Sequence, residues 1–96
     1  MKPSEALALK RDQLGAIVAR YRTTNLRVFG PALRGEDRED GDLDLLVDTL
    51  PGATLLDLGG LQTDLEDLLR VPIYLVTSKG LSIKYRSRVL AEARPV

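Results

Sequence analysis

Ninety-six residues suffice for one domain, residues 1–96, able to bury roughly 60–65% of the unfolded chain's surface without a covalent staple. Fourteen acidic and fourteen basic side chains cancel, so net charge offers no reason to expect direct nucleic-acid binding, and the absence of cysteine and histidine excludes a disulfide framework and leaves oxygen as the donor for any metal. No apolar run approaches the ~18 residues of a membrane span, and Met1-Lys2-Pro3-Ser4-Glu5 lacks the apolar core of a signal peptide, so a cytoplasmic location is expected.

Leu7, Leu14, Ile17, Val18 and Tyr21 fall at helical spacing, predicting an amphipathic helix from about Ser4, its N-cap, to Arg22. Thr23-Thr24-Asn25 breaks it, and the apolar run Leu26-Arg27-Val28-Phe29 reads as a first strand ending at Gly30. Glu36 to Gly41 is a solvated loop or short helical arm that leads into a second strand, Asp42 to Val47. After Pro51-Gly52, the leucines at 55, 58, 61, 65, 68 and 69 define a long helix, opened by Thr54 and Asp57 in the spacing of a capping box. Gly59-Gly60 inside that helix costs about 1 kcal/mol each against alanine and predicts close packing or a bend where the helix crosses the sheet. Pro72 introduces a third strand, Ile73 to Thr77, and Ser82 to Ala93 reads as a terminal helix with Ile83, Val89 and Leu90 turned inward. Alternating helices and strands predict an α/β domain.

The charges are unevenly placed. Seven of the fourteen acids lie between Glu36 and Asp48, whereas Arg70 to Val96 carries Arg70, Lys79, Lys84, Arg86, Arg88 and Arg94 against the single acid Glu92. Within the acidic segment, Asp42 and Asp44 sit one residue apart at the mouth of an apolar strand. Strand side chains alternate faces, so the two carboxylates point the same way with Cα atoms roughly 6–7 Å apart, while Leu43, Leu45 and Val47 take the other face. Two such carboxylates can share hard oxygen ligands around Mg²⁺ and a polyphosphate. A solvated acidic turn is the bland alternative. An EF-hand beginning at Asp40 fails, because Leu45 falls where glycine is needed and Pro51 where the bidentate glutamate belongs.

Ten residues separate Gly30-Pro31 from Asp42-Leu43-Asp44, and this spacing resembles the G-S-x10-D-x-D signature of the DNA polymerase beta-like nucleotidyltransferase superfamily. Arg34-Gly35 matches the arginine and glycine that follow the turn in that family. The likeness extends from about Leu7 to the C-terminus, through Leu55-Leu56-Asp57-Leu58-Gly59-Gly60-Leu61 and Leu75-Val76-Thr77, and is strongest to the minimal nucleotidyltransferases, antitoxins paired with HEPN proteins.

The resemblance implies a nucleotidyltransferase fold, a small mixed sheet flanked by helices. It also implies Mg²⁺ at Asp42 and Asp44 as metal-binding and catalytic residues, with ATP phosphates met by Gly30, Pro31, Arg34 and Gly35. AMP would move from ATP to a hydroxyl, a tyrosine, of a HEPN ribonuclease toxin. Two positions depart from the pattern. Pro31 replaces a serine and offers neither hydroxyl nor N–H, although Gly30 as N-cap and Pro31 at the first helical position still suit a helix start aimed at phosphate. Tyr74 stands where the family has a third carboxylate. Arg34 is either a phosphate ligand or the partner of Glu36 or Asp40 across the loop, Tyr74 is more simply a cross-strand packing residue, and Asp48 either lends charge to the site or ends its strand in water. A binding-only antitoxin is therefore the alternative to the enzyme. Modification of RNA is disfavoured by the few aromatics available to stack bases. The basic C-terminal pole is a candidate dock for an acidic partner, and exposed apolar faces on so small a chain are compatible with homo-oligomers.

Overall fold

Every local feature that predicts an element is answered by one in the computed structural model, which describes residues 1–96. In chain order these are α1 (Pro3–Val18), β1 (Thr23–Phe29), α2 (Gly30–Arg34), β2 (Leu43–Thr49), α3 (Leu55–Leu69), β3 (Ile73–Val76), a 3-10 turn (Ser78–Gly80), α4 (Ile83–Glu92) and β4 (Arg94–Pro95). The sheet runs in the order β3-β2-β1-β4; β1 is antiparallel to both neighbours, and β2 and β3 are parallel. A parallel pair needs a crossover, and α3 supplies it. The result is the small mixed α/β sheet expected.

Strand β2 is central and buried on both sides. Leu43, Leu45, Leu46 and Val47 are each 0% exposed, which is why its sequence is a nearly continuous apolar run rather than a clean alternation. Leu43, Leu45 and Val47 face α1 and α3 in one cluster with Leu14, Ile17, Leu61, Leu65 and Ile73. Leu46 faces the other way, into a smaller cluster with Phe29, Leu81 and Ala93.

Several expectations need correction. Ser4 is not the cap of α1: Lys2 holds that place, with Pro3 following and the Glu5 carboxylate accepting from the Lys2 N–H at 2.9 Å. Ser4 instead donates its N–H (2.7 Å) and hydroxyl (3.0 Å) to Asp37, tying the start of α1 to the loop ahead of β2. The first helix ends at Val18 rather than Arg22, residues 19–22 form turns, and Thr23, Thr24 and Asn25, expected to break the helix, already belong to β1, where Asn25 takes a left-handed φ of 58° and the register to β2 slips. Such a slip is a bulge, which residue pattern alone does not announce.

The Thr54–Asp57 capping box is present: Thr54 Oγ1 accepts from the Leu56 N–H at 3.2 Å, and Asp57 accepts from the Thr54 N–H at 2.9 Å. Gly60 is there for close packing, but against the Tyr21 ring rather than the sheet; an added Cβ would lie 2.5 Å from the ring edge, whereas one at Gly59 meets nothing. In α4 only Val89 reaches the core, because Ile83 (83% exposed) and Leu90 (41%) face outward. Strand β4 was not expected, since two residues containing a proline carry no strand pattern; it sits at the sheet edge, where proline is tolerated. No helix is long and apolar enough to cross a membrane.

Candidate active site

Asp44 lies mid-sheet on the face opposite α1 and α3, opposed by Phe29 on β1 and by Tyr74 on β3. It is half-buried. Asp42 stands just before β2 and is exposed, so the D-x-D pair spans the boundary between sheet and solvent. Burial first, and then the charge of Asp42, hold the Asp44 carboxyl above its usual range; Arg34 opposes this and Glu92 adds to it. A half-buried carboxylate whose ionisation is opposed by burial and by a neighbouring negative charge marks a place that a divalent cation would relieve.

Gly30 explains how the turn fits over this carboxylate. Its φ is +74°, and an added Cβ would stand 3.2 Å from Asp44 Cγ and still closer to Oδ2. Only a residue without a side chain lets the backbone cross there. The five-residue α2 starts at Gly30 rather than after it, with Phe29 as N-cap; Gly30 is therefore not the cap, and the exposed Pro31 occupies the first turn. Gly35 closes α2 in the left-handed conformation at φ 72°, with open space around it.

Arg34 forms a salt bridge with Glu36 through Nε, at 2.6 Å, and a second with Glu92 through Nη1; it does not pair with Asp40. Glu92 also accepts from the Gly30 N–H at 3.3 Å. Burial raises the Glu92 carboxyl, but the bonds from Arg34 and Gly30 outweigh it and leave the group below its usual range. This glutamate, the last residue of α4, joins the site from 62 positions along the chain from Gly30. Its one signal in the sequence is that it is the lone acid in a basic C-terminal segment.

Asp48 is remote from this arrangement. It accepts from Arg27 at 2.5 Å and from Asn25 at 2.9 Å toward the far end of β2, so it lends the site no contact. Tyr74 is 52% exposed and its hydroxyl has no hydrogen-bond partner, so it is an open neighbour of Asp44 rather than a packed cross-strand residue.

No group of three acidic side chains converges to hold a cation alone. Mg²⁺ is commonly bound by one or two carboxylates, with phosphate and water oxygens completing its shell, so Asp42 and Asp44 fit that ion if a nucleotide supplies the rest. The surroundings are open. The cleft bordered by Pro31, Glu36, Asp37 and Asp42 measures about 210 Å³, smaller than the grooves along α1, of about 400 and 640 Å³. Neither of those grooves touches a carboxylate of the D-x-D pair.

Residues 10–96 match the family described as "Nucleotidyltransferase domain". Among curated relatives, "Protein adenylyltransferase MntA" of Thermococcus cleftensis is 37% identical over 73 residues, 76% of this chain and 74% of the relative. "Putative protein adenylyltransferase MJ0126" of Methanocaldococcus jannaschii is 28% identical over 89 residues, 93% of this chain and 91% of the relative. A solved structure described as a "putative minimal nucleotidyltransferase" superposes with a TM-score of 0.86 at 44% identity, over 97% of this chain and 95% of that one. A "toxin-antitoxin with AMP-PNP" shares the fold, at a TM-score of 0.72 and 15% identity, over 88% of this chain and 69% of that one. With the Gly30 turn, the D-x-D strand and the sheet order in place, these matches make the chain a member of the nucleotidyltransferase domain family, of the minimal type.

Proposed function

We propose that this protein is a Mg²⁺-dependent protein adenylyltransferase, an antitoxin that moves AMP from ATP to a tyrosine hydroxyl of a HEPN ribonuclease toxin. The observation that carries the reading is the intact D-x-D pair, with Asp44 half-buried beneath the Gly30 backbone and Asp42 open beside it. The curated relatives with the same reach along the chain are named as protein adenylyltransferases. An open face rather than a closed pocket suits an acceptor as large as another protein.

In this reading Asp42 and Asp44 hold the cation, which when bound neutralises the triphosphate and lowers the pKa of the acceptor hydroxyl. Gly30, Pro31, Arg34 and Gly35 border the place of the triphosphate. Pro31 supplies no donor, and Arg34 has Nε and Nη1 engaged by Glu36 and Glu92, which leaves Nη2 to meet phosphate, so the turn works largely by shape: Glu92 ties Gly30 and Arg34 together beside the strand end where the nucleotide would lie. The acceptor oxygen attacks the α-phosphorus in line and pyrophosphate leaves.

The second reading is a nucleotidyltransferase fold that neutralises its toxin by binding alone. It is favoured by the same two departures, a proline at the turn and an uncharged Tyr74 beside Asp44. Intact mass spectrometry of the co-expressed HEPN partner, with ATP and Mg²⁺, separates the two. An AMP-sized gain with the parent and none with Asp44→Asn is the expected result. A partner that stays unmodified yet inhibited in a stable complex establishes the binding-only protein.

A further inference from the structure

Three tyrosines occur in the chain, and they sit in three different settings. Tyr21 packs on Gly60 and donates its hydroxyl to Asp64 at 2.7 Å, on the side of the molecule away from the D-x-D pair. Tyr85, on α4, is 46% exposed and flanked by Lys84 and Arg88, whose cationic groups lie 5.6 and 5.9 Å from its ring centre. Tyr74 alone stands in direct register with Asp44, on the adjacent parallel strand. Paired residues of neighbouring strands project to the same face from backbones about 4.8 Å apart, so the phenol and the carboxylate share one patch of surface. The ring is 52% exposed and its hydroxyl has no partner in the protein.

A free phenol is the kind of acceptor that adenylyl transfer consumes, and here the chain supplies one beside its own carboxylates. We infer that Tyr74 is a site of self-modification, an acceptor to which this protein transfers AMP within a single copy. The inference rests on the adenylyltransferase reading above and adds a second acceptor to it. The phenolic oxygen of Tyr74 forms a bond to the α-phosphorus of ATP as the bond from that phosphorus to the bridging oxygen breaks. Pyrophosphate departs with the electron pair, the phenolic proton passes to water, and Tyr74 keeps the adenylyl group through a phosphodiester. No redox partner is needed.

The test uses the full chain alone with ATP and Mg²⁺, followed by intact mass and by mapping of the tryptic peptide Val71–Lys79, which contains Tyr74 as its only tyrosine. The expected result is one AMP-sized gain confined to that peptide. Tyr74→Phe and Asp44→Asn reduce it to background and Tyr85→Phe leaves it intact. Its fractional rate stays constant over a tenfold range of protein concentration. An unmodified parent, a gain mapped to Tyr85 or Tyr21, or a fractional rate that rises in proportion to concentration overturns the inference. If the parent modifies its partner but not itself, the inference fails alone; if ATP yields no product on either protein, the adenylyltransferase reading falls with it.

Discussion

The two faces of the sheet are built to different standards. On one, Val28, Leu43, Leu45, Val47 and Ile73 meet α1 and α3 in a cluster of 15 buried residues. On the other, only Phe29, Leu46, Leu81 and Ala93 are buried together, and the helix on that side, α4, has no fully buried residue. Half-buried Asp44 and the left-handed Gly30 lie on this second face. A half-buried charge is tolerated where the cover is thin, because water and neighbouring polar groups remain within reach. The thick face holds the fold, and the thin face carries the candidate site.

Leu65→Ala, on the thick face, is the strongest way to break that division. It empties a position that is 0% exposed and is expected to cost about 2–5 kcal/mol in urea unfolding, with the D-x-D geometry intact in whatever fraction stays folded. Asp44→Asn is the converse. Adenylyl transfer should fall more than about 100-fold, beyond the usual effect of removing a ligand's outer support. Its thermal midpoint at pH 7 should hold or rise. The sign follows from the direction of the shift: the Asp44 folded-state pKa lies above that of an ordinary aspartate, so stability falls as pH rises from the unfolded pKa through the folded one, and an amide has no proton to lose.

Glu92→Gln tests the thin face more gently. Removing the charge and one of the two acceptor oxygens, so that Arg34 and the Gly30 N–H can no longer both be held, should slow transfer about tenfold, seen chiefly as a higher KM for ATP. Stability should change by less than about 1 kcal/mol, since Arg34 is half-exposed.

Asp37→Asn is expected to act chiefly on stability, and only through pH. Burial raises the Asp37 carboxyl, but the two bonds from Ser4 outweigh it and set the folded-state pKa below 3.8. Its contribution, about 1 kcal/mol, is therefore complete above that value and is lost as pH falls through the lower folded-state pKa. Thermal midpoints of parent and variant measured from pH 6 down to pH 2 should converge at the acid end.

Much of the molecule was legible because its signals are local. Helical spacing in 7–18 and 55–69, the Thr54–Asp57 cap and the D-x-D alternation each operate within a few residues, and all reappear in the structure. The misreadings share the opposite property. Ser4 is a good cap by type, but Asp37, 33 positions away, takes its hydrogen bonds. Gly60 reads as a place where the helix crosses the sheet, while the ring that needs the space belongs to Tyr21. Ile83 and Leu90 match a helical stripe, yet α4 rests on the sheet only through Val89.

A small α/β domain with two carboxylates on one strand face and a glycine turn before them was written in the residue order, and its resemblance to the nucleotidyltransferases supplied the family. Period and spacing encode such features directly. Tertiary structure alone decided that Arg34 pairs with Glu36 and Glu92, that Glu92 supports the Gly30 turn, that Asp48 is turned to Arg27, and that Tyr74 stands open beside Asp44. Glu92, Arg27 and Tyr74 reach these partners through sheet order and helix docking across 21 to 62 positions, and no short-range pattern carries that information.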